Sequence, residues 1–377
     1  MNKTTVHVIG CPGNPSRKFP TIDPFARVSY TLTNSLTDLG WNINYYGYEE
    51  STVKCTNKFG VVNLDWKTKF IENPNDNTPR VATPTGDCEI AFADEAFKSL
   101  KINSKPGDIA IFMWSTIPYY MNNLGLQDLG LYVIDGHIGH YDPSTVCSYH
   151  VYASSSLQSW LYAKDDKRFA NRYHDIVIPP IAHSTDDYTY SEEKEDYFLF
   201  MSRLIENKGL GIVIDMAKEL PTYKFKIAGE GDWAYWSQRA PKNVEYIGYL
   251  DGDARADALS KAKAVITPAL YFEPFGLTAV ESAISGTPII STDWGGYTNN
   301  VIHGVTGFRC TILRDFIDAV LNIDQIDPKD CRAWGKLHSS EELIKRWKDY
   351  LIRVKRGGWY NIDDSDSIEE SLISKNN

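Results

Sequence analysis

Residues 273–286 read EPFGLTAVESAISG. Pro274 and Gly276 form a turn after an apolar run, and the amides near Gly276, Leu277 and Thr278 begin a helix. A helix start carries unpaired N–H donors and partial positive charge, so it suits an anion. Ala279, Val280, Ala283 and Ile284 supply the buried face, and Gly286 ends the helix. Glu281 is offset from that face, and Glu273 stands before the turn. An ionised carboxylate only accepts hydrogen bonds, so neither glutamate suits phosphate, and both suit the hydroxyls of groups flanking one. A sugar on one side and a ribose on the other is the economical expectation. The structural alternative is that Glu273 caps the helix and Glu281 is solvated.

Outward from this stretch, β-rich runs alternate with helical patterns. YFLFM (197–201), KFKIA (224–228), VEYIG (244–248), AVITP (264–268) and PIIST (288–292) read as strands, with helices near 209–220, 252–262 and 276–285. That alternation predicts a doubly wound parallel sheet. The first half repeats it: VHVIG (6–10), INYYG (43–47), DIAIFMW (108–114), LYVID (131–135), HVYAS (150–154) and DIVIP (175–179) read as strands. Val28, Leu32, Leu36 and Leu39 mark a helix that Gly40 stops. HSTDDYTYSEEKED (183–196) is polar and acidic, which suits a linker. The expected division is a Rossmann-like domain over 1–185, a second over 186–338, and a final amphipathic helix with an acidic tail over 339–377.

A chain of 377 residues is long for one core and comfortable for two. The formal net charge of -10 gives no general attraction to nucleic acid or anionic lipid. Cys11, Cys55, Cys88, Cys147, Cys310 and Cys331 are scattered without metal-ligand spacing and read as reduced thiols. The N-terminal apolar run is too short for a signal peptide, and no run reaches the ~18 residues of a membrane span. A cytoplasmic enzyme without a cofactor or metal is the expectation.

In open α/β sheets ligands sit beyond the carboxyl ends of the strands. Three loops of the second half answer that description. SRLIENKG (202–209) carries Arg203 and Lys208, suited to a diphosphate or simply solvated. AGEGD (228–232) places Gly229 and Gly231 directly after a strand, where the backbone can approach a ligand closely. The third is the opening stretch.

Taken in order, these loops resemble the donor lobe of retaining GT-B glycosyltransferases, the large group that includes sucrose and sucrose-phosphate synthases. The glutamate, seven residues, glutamate pattern is the most specific part, and TPIISTDWGGYTNNVIHGVTGF (287–308) is similar to the family's usual continuation. The resemblance implies an α/β GT-B fold, two Rossmann-like domains facing across a cleft, the first binding acceptor and the second the donor. It implies that Arg203 and Lys208 hold the diphosphate of a UDP- or GDP-sugar, that Glu273 binds hydroxyls of the donor sugar, and that Glu281 binds the ribose. Backbone around Phe275, Gly276, Leu277 and Thr278 would lie near sugar and phosphates, and Ile247 would contact the base through its backbone. The final helix would cross back to the first domain. The implied reaction is transfer of a hexosyl or pentosyl group to an acceptor hydroxyl with retained configuration.

The first half departs from the commonest pattern: TIDPFARVSY (21–30) lacks a paired glycine and resembles a sub-branch with Asp-Pro-Phe there and an acidic residue followed by G-I-G-Y mid-lobe. Here that run is IDGHIGHY (134–141), so Asp135, His137 and His140 are acceptor or donor-sugar candidates expected to face the cleft, with a structural, hydrogen-bonded histidine the alternative for His137 and His140. DGD (251–253) matches a metal-binding acidic pair of another glycosyltransferase fold, but capping of the helix that follows is the better reading. MWSTIPYY (113–120) reads as core before it reads as a stacking platform. The acidic balance favours a glycan or glycoconjugate acceptor over nucleic acid. The rivals are a nucleotide-sugar epimerase of the same fold, which needs no acceptor, and a two-lobed sugar-binding protein, a class that is usually exported.

Overall fold

The computed structural model describes residues 4–18, 23–68, 86–136, 139, 144–164 and 174–356. It divides into two compact units. The first comprises residues 1–153, 157–182 and 343–377, and the second comprises 154–156 and 183–342.

The first unit is built on a sheet of seven parallel strands: β1 (Val6–Ile9), β2 (Ile43–Tyr48), β3 (Asn57–Val62), β4 (Ile109–Phe112), β5 (Tyr132–Asp135), β6 (Tyr149–Tyr152) and β7 (Ile176–Val177), in the order β3-β2-β1-β4-β5-β6-β7. The second has six: β8 (Phe198–Met201), β9 (Phe225–Ala228), β10 (Val244–Gly248), β11 (Ala264–Thr267), β12 (Ile289–Thr292) and β13 (Gly307–Cys310), in the order β10-β9-β8-β11-β12-β13, again all parallel. Every residue of β1, β4, β8 and β11 is buried. That is the consequence of helices covering both faces of a parallel sheet, and it is why these strands are mostly apolar, with His7 of β1 and Thr267 of β11 the polar members.

The helix Pro24–Asp38 shows how local sequence sets a boundary. Asp23 has extended backbone, and its carboxylate accepts from the amides of Phe25 at 2.9 Å and Ala26 at 3.3 Å, while Pro24 starts the helix without losing a needed donor. Gly40, at φ 83°, follows its end.

Two strands escape the sequence reading. β3, NKFGVV, is a largely exposed edge strand with no apolar alternation. β13 opens on Gly307, where a Cβ would stand 1.9 Å from the carbonyl oxygen of Ile289, so glycine is required for the strand to close on β12. The helices Gly86–Asn103, Leu313–Leu321 and Pro328–Leu337 complete the layers. The last helix, Ser340–Lys355, buries Leu343, Trp347, Tyr350, Leu351 and Val354. From Leu343 onward the helix belongs to the first unit: Tyr350 donates its hydroxyl to the His174 carbonyl at 2.9 Å, and Lys355 reaches the Gly107 carbonyl.

Candidate active site

In the second sheet the strand order reverses between β8 and β11, the position at which ligands bind in folds of this kind. The loops leaving those strands are stitched together. The Leu270 amide donates to the Asn207 carbonyl at 2.8 Å. Gly209, at φ 77°, lies so close to Pro268 that a Cβ would meet its carbonyl oxygen at 1.9 Å.

This contact brings Lys208 to Glu273. The Lys208 ammonium donates to Glu273 Oε2 at 2.9 Å and to the hydroxyl of Tyr271, and that hydroxyl donates to the same Oε2. The ammonium also lies 4.7 Å from the centre of the Tyr271 ring. An ammonium has three donors and two are used; both hydrogen bonds to the carboxylate end on Oε2. One N–H and Glu273 Oε1 are therefore left for a ligand among the described residues.

Beside this cluster the helix Leu277–Ile284 begins. Gly276 precedes it at φ 87° with no side chain to cap it, and Leu277 and Thr278 are partly exposed. The start thus offers amide donors to a ligand. Gly276 is required sterically as well, because a Cβ would stand 2.5 Å from the Tyr297 ring. Residues 294–297 brace the turn: Gly296 N–H donates to the Glu273 carbonyl at 2.6 Å, and Trp294 Nε1 donates to the Tyr271 carbonyl at 3.2 Å. A Cβ on Gly296 would lie 2.4 Å from Phe275 Cα. Phe275 itself is buried, its carbonyl held by the Asn300 amide.

Glu281 does not stand in solvent. The whole stretch Ala279–Ile284 is buried, Glu281 included, because the helix is covered on every side. Arg255, from the helix Gly252–Lys261, donates to Glu281 Oε2 through Nε at 3.0 Å and through a second guanidinium nitrogen. His183 Nε2 lies 3.7 Å from Oε1. Burial works against charge on Arg255, and the Glu281 carboxylate outweighs it, holding the guanidinium firmly protonated.

The remaining residues fall as follows. Arg203 is exposed on the loop after β8 and is not joined to the Lys208 cluster. Gly229 and Gly231, at φ 144° and 139°, serve the neighbouring loop: a Cβ on Gly229 would lie 1.8 Å from the Ser202 carbonyl oxygen, and one on Gly231 2.7 Å from Leu204 Cβ. Ile247 is skipped in the register of β10 on β9, between Tyr246 and Gly248, so it sits in a bulge at the carboxyl end of an edge strand. Asp251 caps its helix, accepting from Gly252 N–H at 2.8 Å. Met113, Trp114, Ile117 and Pro118 are core, and Tyr119 of the same run is exposed. His137 and His140 lie outside the described residues.

Asp135 corrects an expectation. It does not face an open cleft but is fully buried, accepting from the Ser115 hydroxyl at 2.9 Å and the Ser144 amide at 2.8 Å. Burial pushes its carboxyl above the usual range against those two bonds and the nearby His150 charge. His150 has an acceptor on each side, the Asp175 carboxylate at 2.9 Å from Nδ1 and the Ser144 carbonyl at 2.8 Å from Nε2. Two acceptors require two ring protons, so His150 is an imidazolium. Burial opposes that charge, and the Asp175 bond with the Asp135 and Asp175 carboxylates outweighs it, raising its pKa. The contribution to stability is full below the ordinary histidine pKa and is lost as pH rises through the raised value. We expect the unfolding free energy to fall as pH rises through that window, and His150→Asn to remove that pH-dependent component in urea titrations.

Tyr271, Arg255 and Trp294 are the site residues that sequence reasoning missed. Tyr271 lies two residues from Glu273, and Trp294 lies within the stretch similar to the family's continuation, but Arg255 meets Glu281 only through packing.

Residues 187–327 match the family model for glycosyl transferases group 1. A glycogen synthase of Mycobacterium tuberculosis is 34% identical over 122 residues, 30% of this chain and 29% of its own length, so the chain spans under a third of that relative. Among solved structures, AviGT4, a glycosyltransferase involved in avilamycin A biosynthesis, superposes with a TM-score of 0.68 at 18% identity, over 94% of this chain and 99% of that one. Anabaena Alr3699/HepE in complex with UDP-glucose gives 0.64 at 13% identity, over 92% and 99%. The fold is that of GT-B glycosyltransferases. Both units are Rossmann-like, each a parallel sheet with helices alternating between its strands. Among the described residues no helix is long and apolar enough to cross a membrane.

Proposed function

We propose that this chain is a retaining glycosyltransferase that moves a sugar from a nucleoside-diphosphate sugar to an acceptor hydroxyl of a glycan or glycoconjugate. The observation that carries the reading is the cluster of Lys208 and Glu273 beside an uncapped helix start at the switch point of the second sheet. The match of residues 187–327 to group 1 glycosyl transferases supports it, as does the neighbour of the same fold that holds UDP-glucose.

In this reading the free N–H of Lys208, the exposed guanidinium of Arg203 and the amides of Leu277 and Thr278 take the diphosphate. Glu273 Oε1 takes a hydroxyl of the donor sugar. Glu281, already oriented by Arg255, takes the ribose, and the bulge at Ile247 lies against the base. The chemical demand is charge on the departing diphosphate, which preorganised cations and amides stabilise as it develops. The residues carry that charge themselves, so the reading assigns no metal. Same-face displacement follows if a leaving-group oxygen takes the acceptor proton, and retention is part of the proposal on that ground. The first unit binds the acceptor.

Thermal-shift measurements with UDP, GDP and ADP test the donor. One diphosphate is expected to raise the melting temperature, a ligand at a hundred times its dissociation constant adding about 2.7 kcal/mol of stability. No shift with any of the three at millimolar concentration would refute the reading.

A further inference from the structure

We infer that Tyr271 is a positioning residue for diphosphate recognition, acting through Lys208, an inference that rests on the donor reading above. Lysine is a point charge on a flexible four-carbon stem and costs rotamer entropy to hold in one place. Here the Tyr271 hydroxyl accepts from the ammonium and donates to Glu273 Oε2, and the ammonium donates to that same oxygen. Three groups therefore close a ring of hydrogen bonds, with the hydroxyl as the member that is both donor and acceptor. A carboxylate alone would hold the ammonium anywhere on an arc around its oxygens. The hydroxyl adds a second anchor and selects one position, with the third N–H in a fixed direction. Tyr271 is itself set: its carbonyl accepts from Trp294 Nε1 at 3.2 Å, and Leu270 before it donates to Asn207, one residue from Lys208. The hydroxyl also shares Oε2 with the ammonium, which leaves Oε1 to the sugar. Phenylalanine would keep the ring under the ammonium and lose only the hydroxyl.

The test is binding of UDP against UMP, with GDP against GMP in parallel, to wild type, Tyr271→Phe, Lys208→Ala and the double variant, alongside unliganded melting temperatures. Tyr271→Phe is expected to weaken the diphosphate about tenfold, as for loss of a charge-assisted hydrogen bond, and to leave the monophosphate within twofold. On the Lys208→Ala background it should add nothing. Equal losses for diphosphate and monophosphate, or an undiminished loss in the double variant, would show that the hydroxyl only supports the fold. An effect of Lys208→Ala without one of Tyr271→Phe overturns this inference alone. Unchanged diphosphate binding in Lys208→Ala overturns the donor reading and this inference with it.

Discussion

Replacing Lys208 by alanine is expected to lower kcat/KM for the donor about 10²–10³-fold, the usual cost of removing one preorganised donor from developing negative charge. The loss should fall mainly on kcat, because the diphosphate gains charge only as the sugar departs. The geometry makes Lys208 the harder residue to replace. It is three-quarters or more buried, ion-paired at 2.9 Å and fixed by Tyr271. Arg203 is exposed, so Arg203→Ala should cost closer to tenfold. The measurement is steady-state release of nucleoside diphosphate from the nucleotide-sugar. Near-normal turnover in Lys208→Ala would refute the leaving-group assignment. Glucose need not be the sugar for this test, provided that the donor is the one that wild type turns over.

Arg255→Met is expected to destabilise the second unit by about 3–5 kcal/mol, because it removes the guanidinium that pairs with the buried Glu281 carboxylate. The penalty is the desolvation of one charge and not the net worth of the pair, so Arg255→Met with Glu281→Gln should recover much of it. Urea or thermal unfolding of the single and double variants measures both. A single variant as stable as wild type would mean that Glu281 finds enough compensation elsewhere. His183, whose Nε2 lies 3.7 Å from Glu281 Oε1, is one group placed to supply it. The same pair bears on binding. If Glu281 takes the ribose, Arg255 fixes the carboxylate in advance, and the double variant should fold while losing nucleotide affinity.

The fold was legible because a parallel sheet covered on both faces writes itself as largely apolar runs, unbroken in β4 and β8 and interrupted by few polar residues in β1, β11 and β12. The edge strand β3 was not, since an exposed edge has no apolar signature. In the candidate site, the turn and helix start at Gly276 could be read locally, because proline, glycine and the helix period act over a few residues. The surroundings of Glu281 could not. Its offset from the apolar stripe suggests solvent, but the helix Pro328–Leu337 packs closely enough on this helix that a Cβ on Gly335 would lie 2.5 Å from the Ile284 amide nitrogen. Asp135 likewise ends its strand as the sequence places it, and burial by Ser115 and Ser144 turns it from a cleft residue into an internal acceptor.

The amino-acid sequence by itself determined the alternation of strands and helices, the Rossmann-like character of both units and the loops worth searching, because periodicity and turn chemistry are local. Tertiary structure alone decided which side chains meet: Lys208 with Tyr271 and Glu273 over separations of 63 and 65 residues, and Arg255 with Glu281 over 26. Those pairings depend on β8 and β11 lying side by side in the sheet and on one helix packing against another. Strand order and helix packing bring together residues far apart in the chain, and no local pattern records that proximity.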